Sequence, residues 1–166
     1  MPKRAGFTLI EMLVSIAIIG ILTVGSIPSI LNSIEVRSLD NAAREIVSSL
    51  QQAKWQAVSG KLNHRVRFLA TAGVWSYRIE SENPPGTWTA EAGTSIKSVP
   101  TKFTVGMNLP AGYTVVFTPV GFISGYSSTL NSVTLTSSKL GSLSQPNSWT
   151  IRIFASGSFQ LLKAAG

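Results

Sequence analysis

After residue 60 the groups able to move protons near neutral pH are few: the single histidine, His64, and the carboxylates Glu80, Glu82 and Glu91. A serine relay would have to draw on Asp40 from far upstream and one of many serines, and no G-x-S-x-G turn is present to expose one. The chain has no cysteine, so thiolate nucleophiles, thiolate metal sites and disulfides are excluded, although an exported protein can do without disulfides. A hard cation needs several clustered oxygens, and the three glutamates flank a loop with no Asp-rich pattern. The residues therefore point to no enzyme, no metal and no cofactor, and His64 reads as a surface residue at the start of a strand.

Positive charge is the more abundant resource. From Lys61 onward nine Lys or Arg residues face three Glu. Arg65 and Arg67 alternate with apolar neighbours and share one strand face, and Arg78 and Arg152 could extend that face into a strip for phosphate backbones. A solvated sheet face explains the same residues. Net charge is +7, and losing Lys3 and Arg4 with a leader would leave +5, so the chain stays basic either way. A basic balance is also an ordinary means of staying soluble.

Glu11 is the remaining chemical oddity. It is the only ionisable side chain from Phe7 to Ile27, FTLIEMLVSIAIIGILTVGSI. A carboxylate in a membrane costs roughly 2.5 to 3.5 kcal/mol at the centre and less toward the interface, so Glu11 must be paired, hydrated at the headgroups or protonated. The element positioning it is a helix: about 20 residues at 1.5 Å each cross a hydrocarbon core of about 30 Å. Lys3 and Arg4 hold the N-terminus in the cytoplasm and send the rest of the chain outward. A cleaved secretory signal fits less well, because the apolar run is long and no Ala-x-Ala site precedes the next helical pattern.

The string Gly6-Phe7-Thr8-Leu9-Ile10-Glu11, behind a short basic leader and ahead of an unbroken apolar helix, resembles the leader site of type IV pilins and type II secretion pseudopilins. That resemblance implies cleavage by a prepilin peptidase between Gly6 and Phe7, N-methylation of Phe7, and pairing of Glu11 with the Phe7 amine of a neighbouring subunit. A buried carboxylate is tolerable beside such an amine, and removing either partner is strongly destabilising. Glu11 would then set assembly register.

Gly20, Gly25 and Pro28 sit mid-helix, where proline removes a donor and crowds the carbonyl of Val24, predicting a flex point. Pro28 also matches the proline that pilins carry at the twenty-second mature position. Beyond it Val36, Leu39, Ala43, Ile46, Leu50, Ala53 and Ala57 recur at spacings of three and four, which predicts one buried face. A coiled coil would use a similar stripe, but three alanines suit close packing on a sheet, and Gly60 supplies a stop. One helix is expected from Phe7 to Ser59, about 80 Å long, apolar all round in its first half and amphipathic in its second.

The period then changes to two. Val66 and Phe68 alternate with Arg65 and Arg67, and Trp75, Tyr77 and Ile79 alternate with Val74, Ser76, Arg78 and Glu80. Ser81 to Thr94 reads as a loop, with further strands at Tyr113–Thr118, Val133–Ser137, Trp149–Ala155 and Phe159–Leu162. The last two form a hairpin around Ala155-Ser156-Gly157-Ser158, with Gly157 at positive φ. The expected class is α+β and pilin-like, a long N-terminal helix packed on an antiparallel β-sheet head. It divides into a leader (1–6), a transmembrane and filament-core segment (7–28), an amphipathic segment packed on the head (29–60) and a β-rich head (61–166).

The stretch Asn41-Ala42-Ala43-Arg44 through Leu50-Gln51-Gln52-Ala53-Lys54-Trp55-Gln56-Ala57-Val58, running into Val66-Arg67-Phe68, is similar to FimT/GspH-type minor pilins and pseudopilins, as is Phe117-Thr118-Pro119-Val120-Gly121 ahead of a hairpin. The resemblance implies a structural subunit in the inner membrane, its head periplasmic, that joins other pilin subunits at or near the tip of a pilus or secretion pseudopilus. Some FimT-like proteins bind DNA through arginines in the C-terminal hairpin. Here the matching Gly157-Ser158-Phe159-Gln160 has none, which leaves DNA binding to Arg65, Arg67, Arg78 and Arg152 as the alternative. A major pilin that forms the bulk of a fibre is a third reading.

Overall fold

The computed structural model describes residues 7–143 and 145–165, with backbone alone for 23–29 and 165. The chain divides into two compact units, Met1–Glu35 and Val36–Gly166. Helix α1 is Leu9–Gly60, starting two residues later and ending one later than the expected Phe7–Ser59. Its backbone is helical through Gly20, Gly25 and Pro28. Gly60 is the last helical residue, and the left-handed residue after it is Lys61, φ 53°, so the turn that glycine was expected to supply is taken by its neighbour.

In the second unit the strands are β1 His64–Thr71, β2 Val74–Glu82, β3 Trp88–Ala90, β4 Lys97–Ser98, β5 Thr104–Asn108, β6 Thr114–Phe117, β7 Ile123–Ser124, β8 Ser132–Thr136, β9 Pro146–Ile153 and β10 Phe159–Ala165. A single turn of helix, α2 at Ser138–Gly141, links β8 to β9, and the Ser137 hydroxyl caps it by accepting from Leu140 N–H. One antiparallel sheet runs β3-β2-β1-β6-β7, with β4 also on the outer edge of β2, and a second runs β10-β9-β8-β5. The two sheets are joined where Ile123 N–H donates to Ala155 C=O at 3.0 Å.

The stripe read from helical spacing is the face that packs. Leu39, Ala43, Ile46, Leu50, Ala53 and Ala57 are buried in one cluster with Val66, Phe68, Phe117, Leu135, Trp149 and Ile151 from both sheets, and Val36 is half-buried at its edge. The alanines matter for distance: a larger side chain there would hold the helix off the strands or force strain. Upstream of the stripe Ile30, Leu31 and Ile34 are exposed.

Three features differ from the sequence expectation. The stretch read as a loop to Thr94 contains β3, whose pairing of Trp88 with Glu82 and Ala90 with Glu80 is tertiary in origin. Strands β4, β5 and β7 were not expected: β4 and β7 have two residues each, too few to show a period, and β5 carries a glycine, Gly106. His64, expected at the surface, is 4 % exposed, because alternation along β1 puts it on the same face as Val66 and Phe68.

Candidate functional site

From Phe7 to Leu22 the N-terminal unit is an apolar surface with one acid, Glu11, in it. Phe7, Leu9, Ile10, Leu13, Ile16 and Ile21 are all exposed. Glu11 closes a capping box. Its Oε2 accepts from Thr8 N–H at 3.4 Å while Thr8 Oγ1 accepts from Glu11 N–H at 3.3 Å, satisfying two of the donors that every helix start leaves open. The spacing Thr-x-x-Glu ahead of an apolar run is the sequence signal for this arrangement. Oε1 takes no part in that box.

Gly6 lies outside the described residues, and of Gly25 and Pro28 only the backbone is described; Gly20 is helical, with open space around it. Among the described residues no helix is long and apolar enough to cross a membrane.

The four arginines are not one strip. Arg65, Arg67 and Arg78 lie on β1 and β2 in one sheet, whereas Arg152 lies exposed on β9 in the other. In the β1–β2 register Arg67 faces Arg78 directly, a pairing that like charges make unfavourable. Glu80, opposite Arg65, relieves it. Its Oε2 accepts from Arg65 Nε at 2.6 Å, its Oε1 from Arg78 Nε at 2.7 Å, and Arg67 Nη1 stands 4.0 Å from Oε1. These long side chains cover the carboxylate until it is 1 % exposed, although it points away from the apolar core. Trp88 adds a wall, its ring centroid 4.2 Å from the Arg65 guanidinium. Three cations stand on Glu80, and Glu82, two residues further along the same face and acted on by the charge of Arg65, brings the surplus on the face to one.

The other candidate acids hold structure. His64 Nε2 lies 3.3 Å from Glu91 Oε2, and its Nδ1 is 3.1 Å from Leu62 C=O, so both ring nitrogens have partners. Glu82 binds Asn63 Nδ2 at 2.6 Å and Gly86 N–H at 2.7 Å, and these bonds, the Asn63 one first, hold its carboxyl below the usual range. Asp40 ties helix to hairpin. It accepts from Trp149 Nε1 at 2.9 Å, from Arg44 Nε at 2.7 Å and from Lys163 Nζ at 2.9 Å. Partial burial alone would raise its pKa, but Arg44, Lys163 and Trp149 together outweigh that and bring it down to about 2. No nucleophile stands beside a base in this arrangement; what it offers is an apolar helix with one acid, and a basic sheet face.

The family described as "Prokaryotic N-terminal methylation motif" matches residues 1–27, and the family described as "Type II transport protein GspH" matches residues 42–157. Among solved structures the fold is similar to the minor pseudopilin EpsH from the Type 2 Secretion System of Vibrio cholerae, with a TM-score of 0.55 and 11 % identity over 76 % of this chain and 97 % of that one. It is also similar to the type IV minor pilin FimU of Pseudomonas aeruginosa, with a TM-score of 0.53 and 18 % identity over 77 % of this chain and 90 % of that one. Among curated proteins none matches the sequence. The GspH match spans well over half of the chain, from the packed face of α1 to the C-terminal hairpin turn, so the chain belongs to the family described as Type II transport protein GspH.

Proposed function

We propose that the chain is cut between Gly6 and Phe7 by a prepilin peptidase and N-methylated on Phe7. Residues 7–28 hold it in the inner membrane as a single pass with the head in the periplasm. It then joins other pilin subunits at or near the filament tip, where it helps initiate or complete assembly. It carries out no chemistry of its own. The observation that supports this best is the bare apolar surface of α1 from Leu9 to Leu22, in which Glu11 is the one ionisable side chain. Water does not tolerate such a surface, and lipid followed by neighbouring helices would cover it in turn. Inside that bundle the carboxylate of Glu11 meets the Phe7 amine of the next subunit, and Gly20, Gly25 and Pro28 give the helix its flex point.

The test is the mass of the membrane-extracted protein made with and without a prepilin peptidase. With the enzyme the expected product lacks residues 1–6 and carries one added methyl group, and Glu11→Val leaves the cut intact but lowers recovery in the sheared filament fraction by about tenfold or more. An uncut chain in the presence of the enzyme, or a cut after the apolar stretch, rules the reading out.

A second reading gives the head a direct task, contact with DNA during uptake. The positive surplus on the face around Glu80 favours it.

A further inference from the structure

The two sheets have four edges, and three of them are short or interrupted. In the first sheet β3 and β4 close one side with three and two residues and β7 closes the other with two, while in the second β5 carries Gly106. The fourth edge is β10, seven residues without proline or glycine, and among the described residues no strand pairs its outer side. A long open edge is a template for another strand, which proteins ordinarily keep short, charged or covered.

The hairpin decides which backbone groups stay open. Phe154 N–H donates to Ser158 C=O, across the hairpin, and Ile153 N–H donates the other way, to Asn131 C=O. Antiparallel alternation then turns the N–H and C=O groups of Gln160, Leu162 and Ala164 toward β9 and those of Phe159, Leu161 and Lys163 outward. Beside this edge lies a groove of about 250 Å³, lined by Val47, Phe159 and Leu161 together with Arg44, Ser48 and Gln51. Arg44, Ser48, Gln51 and Trp55 succeed one another on α1 at spacings of four, three and four, so they form one exposed wall. Trp55, at its end, is 69 % exposed.

We propose that this edge and groove accept an extended segment of a different protein chain. Its backbone pairs with Phe159, Leu161 and Lys163, and its alternate side chains, which are apolar, enter the groove over Val47. A row of unpaired N–H and C=O groups is matched by another extended backbone, and an exposed tryptophan beside it is a common anchor for such a contact. The incoming segment must also have its groove-facing side chains free. The edge strands of a second copy fail in this respect, because Phe159 and Leu161 of β10 and Val105 and Met107 of β5 already pack against their own core. The occupant is therefore a terminal or loop segment lying outside the core of its own chain. The site involves the head alone and does not depend on cleavage at Phe7 or on the duplex-binding reading.

The test uses the full chain in a neutral detergent, with hydrogen exchange of the backbone amides followed by NMR. Without a partner the amides of Phe159, Leu161 and Lys163 should exchange fast and those of Gln160 and Leu162 slowly. The probe is a peptide as long as β10, alternating valine and threonine, with a glutamate added at each end for solubility. Saturable binding that slows the three outward amides by about tenfold or more is expected. Directly opposed residues share a sheet face, so the groove-facing valines are also the residues whose N–H groups point at β10. N-methylation of the valines should abolish binding, and N-methylation of the threonines should leave it intact. Ser48→Trp fills the groove from an exposed helix position, so it should weaken binding about tenfold and leave the spectrum of the core unchanged. No binding, or equal binding of the two methylated peptides, overturns the proposal. So does slow exchange of the three outward amides without peptide; if it appears only as protein concentration rises, the edge belongs to a second copy.

Discussion

At the scale of single residues, each carboxylate of this chain is governed by what surrounds it. Glu11 folds back on its own helix start, Glu80 is enclosed by the guanidiniums it neutralises, and Asp40 joins α1 to β9 and β10 through Trp149 and Lys163. Asp40 yields a pH prediction. Its folded-state pKa of about 2 lies below the ordinary 3.8, so it adds stability above pH 3.8 that is lost as pH falls toward 2. The carboxylate remains 20 % exposed, and after allowing for solvent screening the effect is on the order of 1 kcal/mol. Denaturant unfolding of wild type and Asp40→Asn at pH 6 and pH 2.5 checks this. The variant should be the less stable at pH 6 and the gap should narrow by more than half at pH 2.5; a gap independent of pH would show that Asp40 contributes only by its shape.

At the scale of elements, the hairpin β9–β10 is clasped to the last turns of α1. Lys54 Nζ donates to Ser156 C=O and to Gly157 C=O, each at 3.0 Å. Gly157 has φ 67°, and a methyl group placed there would stand 2.4 Å from Gly121 C=O and 3.2 Å from the Lys54 side chain. Gly157→Ala therefore meets both a left-handed backbone and a fixed neighbouring carbonyl, for an expected loss of about 2 to 3 kcal/mol and roughly 5–10 °C in Tm. Gly73 is the useful comparison, since its φ is 80° but open space surrounds it, and Gly73→Ala should lose about half as much. Thermal unfolding by circular dichroism separates the two; equal losses would mean that the close approach to Gly121 adds nothing.

At the scale of the molecule, the division into two units falls within α1, between its exposed apolar first half and the part of it that packs in the core of the head. The basic groups of the head are spread over two sheets, and three of the four arginines are partly neutralised by Glu80. Any contact with a nucleic acid would therefore be shallow and dominated by backbone phosphates, with a small salt slope. If the head serves in DNA uptake, duplex binding by the full chain should fall as salt rises, and Arg67→Gln with Arg152→Gln should weaken it by about tenfold at low salt. No salt-dependent binding even at low ionic strength ends that reading and leaves the filament role alone.

Sequence alone determined those features whose physics is local. The 21-residue apolar run with one acid, the three-and-four stripe from Val36 to Ala57, the alternation around Arg65 to Phe68 and the glycine turn at 156–157 each follow from a repeat or from one backbone requirement, and the stripe and the turn stand where they were expected. Tertiary structure decided what depends on partners distant in sequence. Trp88 belongs to a strand because β2 offers it an edge, and Glu80 is buried because register sets it opposite Arg65 and beside Arg78. His64 turns inward with Val66, and Arg152 joins a different sheet from the other arginines. Register and sheet membership are fixed by which hydrophobic faces meet across loops of many residues, a long-range choice that no short window of sequence encodes.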